Sequence, residues 1–338
     1  SLTEVQFTGA TVEQAPARAI QGRSPWQLAW RRLRSDRVAV ASAIIIALLC
    51  LVALAAPLIA SLIGHPPAIQ YSYGTTDQGL PKPPSAQFLL GTDNLGRDLL
   101  VRIVYGARVS LLVGLSSTFI ATVLGVVVGL VAGYYGGVID GVLARGTDVV
   151  LAFPYLVLAL ALVTVLGPSL WVVIAVIAFF SWAALARIVR GQTLSLKEKE
   201  YIEAARAIGA SPLRIMVIDI LPNVIAPVLV VATLLVPTAI VFESTLSYLG
   251  LGIQEPTASW GNILAGSQQF LPGAWWFLIF PAAALLITTL AFNLLGDGVR
   301  DAIDPSTERI FAARRKKRAL PVGGSPLVEP PRPVMEED

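Results

Sequence analysis

The sequence predicts an all-α membrane protein, a polytopic bundle of six transmembrane helices. Three observations predict it. The 338 residues are 55% hydrophobic and only 14% charged, whereas a soluble domain is about half apolar and about a quarter charged. The apolar residues cluster in uncharged runs of about 20, long enough to cross a hydrocarbon core about 30 Å thick. The segments before the first run and after the last are basic: Arg23, Arg31, Arg32, Arg34 and Arg37 on one side, Arg300, Arg309 and the run Arg314–Arg318 on the other.

Residues 1–37 read as a mostly polar N-terminal segment. That lead is too long for a secretory signal, and no small-residue cleavage site follows a short apolar core. Spans are expected at about 38–63, 109–133, 147–166, 171–189, 223–243 and 276–296. All read as helices, because a chain in lipid must satisfy its own backbone hydrogen bonds. An even number of spans puts both basic ends on one side, and the excess of arginine assigns that side to the cytoplasm. The only cysteine, Cys50, lies in the first span, so no intrachain disulfide exists. The only histidine is His65, which excludes a histidine-rich metal or heme site.

Residues 64–108 read as an extracytoplasmic loop. In GTDNLGRDLLVRIVYGARVSL, Leu99, Leu100, Ile103 and Val104 recur at helical spacing. The expectation is an amphipathic segment on the outer interface, with Arg97, Arg102 and Arg108 snorkelling to headgroups. A core of spans two to six, residues 109–305, follows. Span two carries Gly125, Gly129 and Gly133 at every fourth position, with Ser117 and Ala121 on the same face. Such a stripe permits close helix approach, either within one bundle or against a second subunit. Gly167-Pro168-Ser169 marks a tight hairpin between spans three and four. The outer loop at 244–275 is apolar and aromatic with one charge, Glu255, and reads as partly re-entrant. Trp275 and Trp276 are expected in an interfacial aromatic belt. Residues 306–338 read as a basic, then proline-rich, disordered cytoplasmic tail, and deletion beyond about 320 is expected to be nearly neutral.

The spans lack ionisable residues near their middles, which argues against ion-coupled transport and voltage gating. No G-x-x-x-x-G-K-[ST] phosphate loop is present and no lysine follows a glycine, so any ATP-driven work must be powered by another chain. No nucleophile–base set or paired acids argue for an enzyme.

The loop at 191–222 contains YIEAARAIGASPLRIMVIDILPN. A helix is expected over 196–208, with Tyr201, Ala204, Ala205 and Ile208 on one apolar stripe. Gly209 is placed to end it in the left-handed conformation. Ser211 suits an N-cap and Pro212 the first helical position. A second helix should run to Ile220, broken by Pro222 and Asn223 before span five. Two short helices with a fixed corner make a lever for a soluble partner, with Glu203 and Arg206 as its charges; an amphipathic loop resting on the inner leaflet is the alternative.

Glu203-Ala204-Ala205, then Gly209, then Leu221-Pro222 resembles the EAA motif of ABC importer permeases. LLGTDNLGRDLLVRIVYGARVSLLVG, ESTLSYLGLGIQEPTASWGNIL and NLLGDGVRDAIDP are similar to the second permease subunit of dipeptide and oligopeptide importers. Asp219 departs from the pattern, which commonly has an apolar residue there. The resemblance implies the type I ABC importer permease architecture in the cytoplasmic membrane. It implies a second homologous permease, two cytoplasmic ATPases that bind ATP and Mg, and an extracytoplasmic peptide-binding protein. This chain itself would bind no cofactor and catalyse nothing. The helix at Glu203 would be the coupling helix, and a weakly selective path would run under the loop bearing Tyr248, Gln254 and Trp260. The same machinery could serve a nickel chelate or glutathione; a channel or scaffold subunit without ATPases is the reading from another class.

Overall fold

A computed structural model describes residues 25–303; the basic run at 314–318 and the tail beyond it lie outside the described residues. The described chain is helical. A short α1 (Pro25–Ser35) leads into α2 (Arg37–Leu54), which Asp36 caps by accepting hydrogen bonds from the amides of Val38 and Ala39. The expected first span is not one helix. It breaks at Ala55, and α3 (Ala56–Ile63) starts with Pro57 in its first turn, where the missing N–H costs nothing.

The longest helix, α4 (Leu99–Tyr135), begins ten residues earlier than the span expected at 109. At about 1.5 Å per residue its 37 residues extend about 55 Å, more than a hydrocarbon core. Its early start removes the expected interfacial segment. Leu99, Val101 and Val104 are buried in protein, and Arg97 and Arg102 are 3% and 1% exposed rather than snorkelling; of the three arginines only Arg108 is exposed. Apolar spacing alone does not separate a lipid-facing stripe from a protein-facing one.

The third span is also revised. A helix α5 (Gly137–Ala152) turns by 89° into α6 (Tyr155–Leu166). Pro154 is the reason: it lacks an N–H and pushes Phe153 into an extended conformation, with ψ of 142°. The 12 residues of α6 extend about 18 Å, too short to cross alone. Helix α7 (Leu170–Leu196) follows, capped by Ser169. After the loop helices α8 (Glu200–Ala207) and α9 (Pro212–Arg214) comes α10 (Leu221–Tyr248). A short α11 (Trp260–Ser267) and a long α12 (Trp275–Ile303) complete the described residues. Among the described residues, five helical stretches are long and apolar enough to cross a membrane, or six crossings if α5 and α6 count as one.

Helices α4 and α7 run parallel and form the heart of the bundle. The glycine stripe sets their spacing. A Cβ at Gly125 would lie 2.9 Å from Trp182 O, one at Gly129 2.6 Å from Ala186 O, and one at Gly133 2.6 Å from Thr193 Cβ. These glycines therefore pack inside this chain. Because backbone blocks the Cβ at Gly129, Gly129→Ala should push α4 and α7 apart and destabilise by about 1–3 kcal/mol. Thermal unfolding in mild detergent measures this; an unchanged midpoint would show that the pair has slack. Around this pair, α10 packs on α4, with Gly114 against Ile240, and α12 packs on α10, with Gly296 against Leu234. Helix α2 closes the bundle, Ala39 lying against Gly298. Its other face, including Leu48, Leu51 and Leu54, is exposed, as lipid contact requires.

Candidate functional site

The two ends of α4 carry different chemistry. At its C-terminal end lies the α8 corner. Ile202 is fully buried among Leu130 of α4, Leu185 and Val189 of α7, and Val224 and Val228 of α10. Ile215 and Ile220, in the turn on which α8 packs, belong to the same apolar cluster and connect α8 to the long helices. Three residues of the expected apolar stripe face outward: Tyr201 and Ile208 are 46% and 83% exposed, and Ala204 is exposed, while Ala205 is partly buried against the same cluster as Ile202. Helix α8 ends as expected at Gly209, φ +81°. The amide of Gly209 donates to Arg206 O (2.9 Å) and that of Ala210 to Ala205 O (3.0 Å), the two bonds of a Schellman stop. The Ser211 hydroxyl then accepts from the Arg214 amide (3.4 Å), with Pro212 in the first turn.

The expected break at Pro222 is absent. Residues Ile215–Ile220 form a π turn in which the Leu221 amide donates to Met216 O, and the helix continues into α10. The wider turn accommodates the prolyl ring in the first turn of α10. Asn223 Nδ2 donates to Asp219 O at 2.7 Å. Asp219 is only partly buried, while Ile215, Met216 and Ile220 face the core. An acid at 219 therefore carries no core desolvation cost.

Glu200 and Glu203 sit in the first turn of α8 and Arg206 in its last, each complementing the helix dipole. Glu203 and Arg206 share a cleft with Lys197, Glu198, Pro212, Tyr134 and Tyr135. The Arg206 guanidinium lies 5.4 Å from the Tyr134 ring centroid. The corner thus carries charge on one side, with exposed Tyr201, Ile208 and Leu213 beside it. Ion pairs at the same end tie α5 to α7: Arg190 with Asp140, and Arg187 Nη2 with Asp148 Oδ1 at 2.6 Å.

At the N-terminal end of α4 a charged cluster joins two segments far apart in sequence. Asp93, 1% exposed, accepts from the amides of Leu95 and Arg97 (both 2.9 Å) and from Arg97 Nε (2.6 Å). Arg102 Nε lies 3.2 Å from Asp93 Oδ2. Arg97 Nη1 and Arg102 Nη2 reach Glu255 at 2.7 and 2.8 Å. Burial opposes ionisation of Glu255, but the hydrogen bond from Arg97 and both positive charges outweigh it and hold its carboxyl below the usual carboxylate range. Asp98 caps α4 through the Val101 amide and lies 2.7 Å from His65 Nδ1.

Of the residues expected at an outer path, Tyr248 is 43% exposed and Gln254 Nε2 donates to Gly250 O at 3.0 Å. Trp260 is fully buried, its indole N–H donating to Ile103 O at 3.1 Å, so it anchors the outer loop to α4. Trp275 is 54% exposed as an interfacial residue should be, but Trp276 is 6% exposed and packs with Leu99, Ile263 and Phe277. One acid stands at the edge of the fifth expected span, toward the C-terminal end of α10. Glu243 is fully buried within α10, accepting from the hydroxyls of Ser110 and Ser247, both at 2.8 Å. The Ile253 amide donates to Ser247 Oγ at 2.9 Å, so this network also holds the outer loop. No cluster of metal-ligating side chains occurs among the described residues.

Residues 125–309 match the family of binding-protein-dependent transport system inner membrane components, and residues 24–89 match the N-terminal transmembrane domain of oligopeptide transport permease C. The chain is 44% identical over 290 residues to the oligopeptide transport system permease protein OppC of Escherichia coli K12, covering 85% of this chain and 93% of that protein. It is 43% identical over 287 residues to the dipeptide permease DppC of Alkalihalophilus pseudofirmus, covering 83% and 90%. It is 44% identical over 285 residues to the glutathione permease GsiD of Shigella flexneri, covering 84% and 92%. A structure of the inward-facing MetNI methionine ABC transporter shares the fold, with a TM-score of 0.50 at 21% identity, over 61% of this chain and 98% of that one.

Proposed function

This chain belongs to the binding-protein-dependent transport system inner membrane components and is an ABC importer permease, and we propose that its cargo is dipeptides and oligopeptides, driven inward by ATP hydrolysed on separate subunits. Similarity to permeases named for oligopeptide and dipeptide transport over more than four-fifths of the chain carries the cargo class. The partners proposed are a second homologous permease, two ATPase subunits that bind ATP and Mg, and a peptide-binding protein on the opposite side. The basic ends and the α8 corner then lie in the cytoplasm, as the arginine distribution requires.

In this reading α8 is the coupling helix. Its exposed face docks in a groove of an ATPase, and Ile202 with Ile215 and Ile220 passes the motion to α4, α7 and α10 together. ATP acts by favouring one of two arrangements of the spans, through contacts that differ between them. The work of this chain is positioning, and the chemistry belongs to the ATPases. The cluster around Asp93 and Glu255 and the serine network at Glu243 hold the outer loop above the path, where Tyr248 and Gln254 are the candidate lining residues.

Glutathione is the second cargo reading, favoured by the similarity to the glutathione permease. Purification of the intact complex in mild detergent, with identification of the ligand on its binding protein, tests both. Peptides of mixed sequence are the expected ligand. Glutathione alone would replace the peptide reading, and a chain that purifies without any ATPase would sink the importer mechanism.

A further inference from the structure

We propose that the exposed face of α1 is a docking surface for anionic phospholipid headgroups, in the leaflet at which α2 enters the membrane. The placement comes first. Helix α2 is a membrane span, and it begins at Arg37. Asp36, with φ −83° and ψ 109°, separates α1 from α2, so α1 does not simply extend the span. Instead α1 packs on the end of α12, with Arg32 Nη1 donating to Ala302 O at 3.4 Å. The start of α2 and the end of α12 lie together, because Gly298 faces Ala39. Helix α1 is thereby held at the rim of the bundle, at headgroup depth.

The chemistry follows from which residues remain exposed. Leu28, Ala29 and Leu33 are partly buried on the protein side, whereas Gln27, Trp30, Arg31 and Arg34 are exposed. Trp30 is 57% exposed, and the Arg34 guanidinium lies 5.0 Å from its ring centroid. A tryptophan with arginines on one face is what an interfacial helix presents: the ring sits among headgroups and the guanidiniums reach phosphate. Helix α1 contains no acidic residue. The nearby Asp36 is committed to capping α2. Exposed Arg37 extends the positive face to the first residue of the span. The charge is complementary to a phosphate-bearing anionic surface, and guanidiniums bind phosphate in a bidentate fork.

The test uses the full chain in nanodiscs of phosphatidylglycerol mixed with phosphatidylcholine, or of phosphatidylcholine alone. Native mass spectrometry or competition with spin-labelled phosphatidylglycerol reads lipid preference. Each basic residue near an anionic surface is worth about a factor of five, so R31Q/R34Q should lower the preference for phosphatidylglycerol roughly thirtyfold. The variant R31K/R34K should keep most of that preference. Equal preference in wild type and R31Q/R34Q would overturn the proposal. So would unchanged lipid preference with loss of a co-purifying soluble subunit, which would assign the face to a protein partner.

Discussion

Asp93→Ala should be among the most destabilising single substitutions in the half of the molecule around the N-terminal end of α4. Asp93 is 1% exposed and is the inner acid of a cluster that buries two guanidiniums. Removing it leaves Arg97 and Arg102 facing one carboxylate, Glu255, whose side chain is 46% exposed and already divided between them. Two turn amides, of Leu95 and Arg97, also lose their acceptor. Breaking one side of a buried ion pair costs about 3–5 kcal/mol, chiefly because the surviving charge is stranded. Asp93→Asn keeps an acceptor for the amides and should be milder. Glu255→Ala should cost less still, since water competes for a half-exposed carboxylate. Thermal unfolding in detergent ranks the three, and limited proteolysis of 64–98 shows whether that loop detaches. If Asp93→Ala melts with wild type, or Glu255→Ala is worse, the inner acid is not the one that holds the cluster.

This cluster is also where sequence reasoning reached its limit. Arg97 and Arg102 stood out as charges beside an apolar stripe, and the same stripe suits lipid or protein equally. What decides is Glu255, more than 150 residues away, and no local pattern joins the two. Glu243 was hidden for a similar reason. It lies at the edge of a predicted span, and its partners Ser110 and Ser247 are ordinary residues until the helices meet. Features set by neighbours in sequence were legible. The stop at Gly209, the cap at Ser211 and the close-packing glycines at 125, 129 and 133 all follow from backbone geometry that a short stretch determines. The bend at Pro154 is equally local, but hydropathy averages across it. The outward turn of Tyr201 and Ile208 depended on Ile202 taking the core instead, and only the packing of α4, α7 and α10 makes that choice.

That choice leads to the second large effect. Glu203→Lys should abolish peptide uptake and lower recovery of the ATPase subunits roughly tenfold or more, while the chain still inserts and folds. Glu203 makes no ion pair among the described residues, so the fold loses no partner. A lysine in the first turn of α8 opposes the helix dipole by only about 0.3–1 kcal/mol. A loss of function far beyond that must come from a surface outside this chain. Ile208→Asp makes the same point from the apolar side. An isoleucine 83% exposed contributes little to folding, yet its replacement should weaken docking, as removal of an apolar anchor does at an interface. Ile202→Ala is the contrasting case: it empties a fully buried site and should cost about 2–5 kcal/mol of stability. Melting and ATPase co-purification, measured on all three, separate docking from folding. Glu203→Lys with normal uptake and full ATPase recovery would remove the coupling role from α8. Loss of folding in Glu203→Lys but not in Ile202→Ala would mean that the face taken for a docking surface is part of the core.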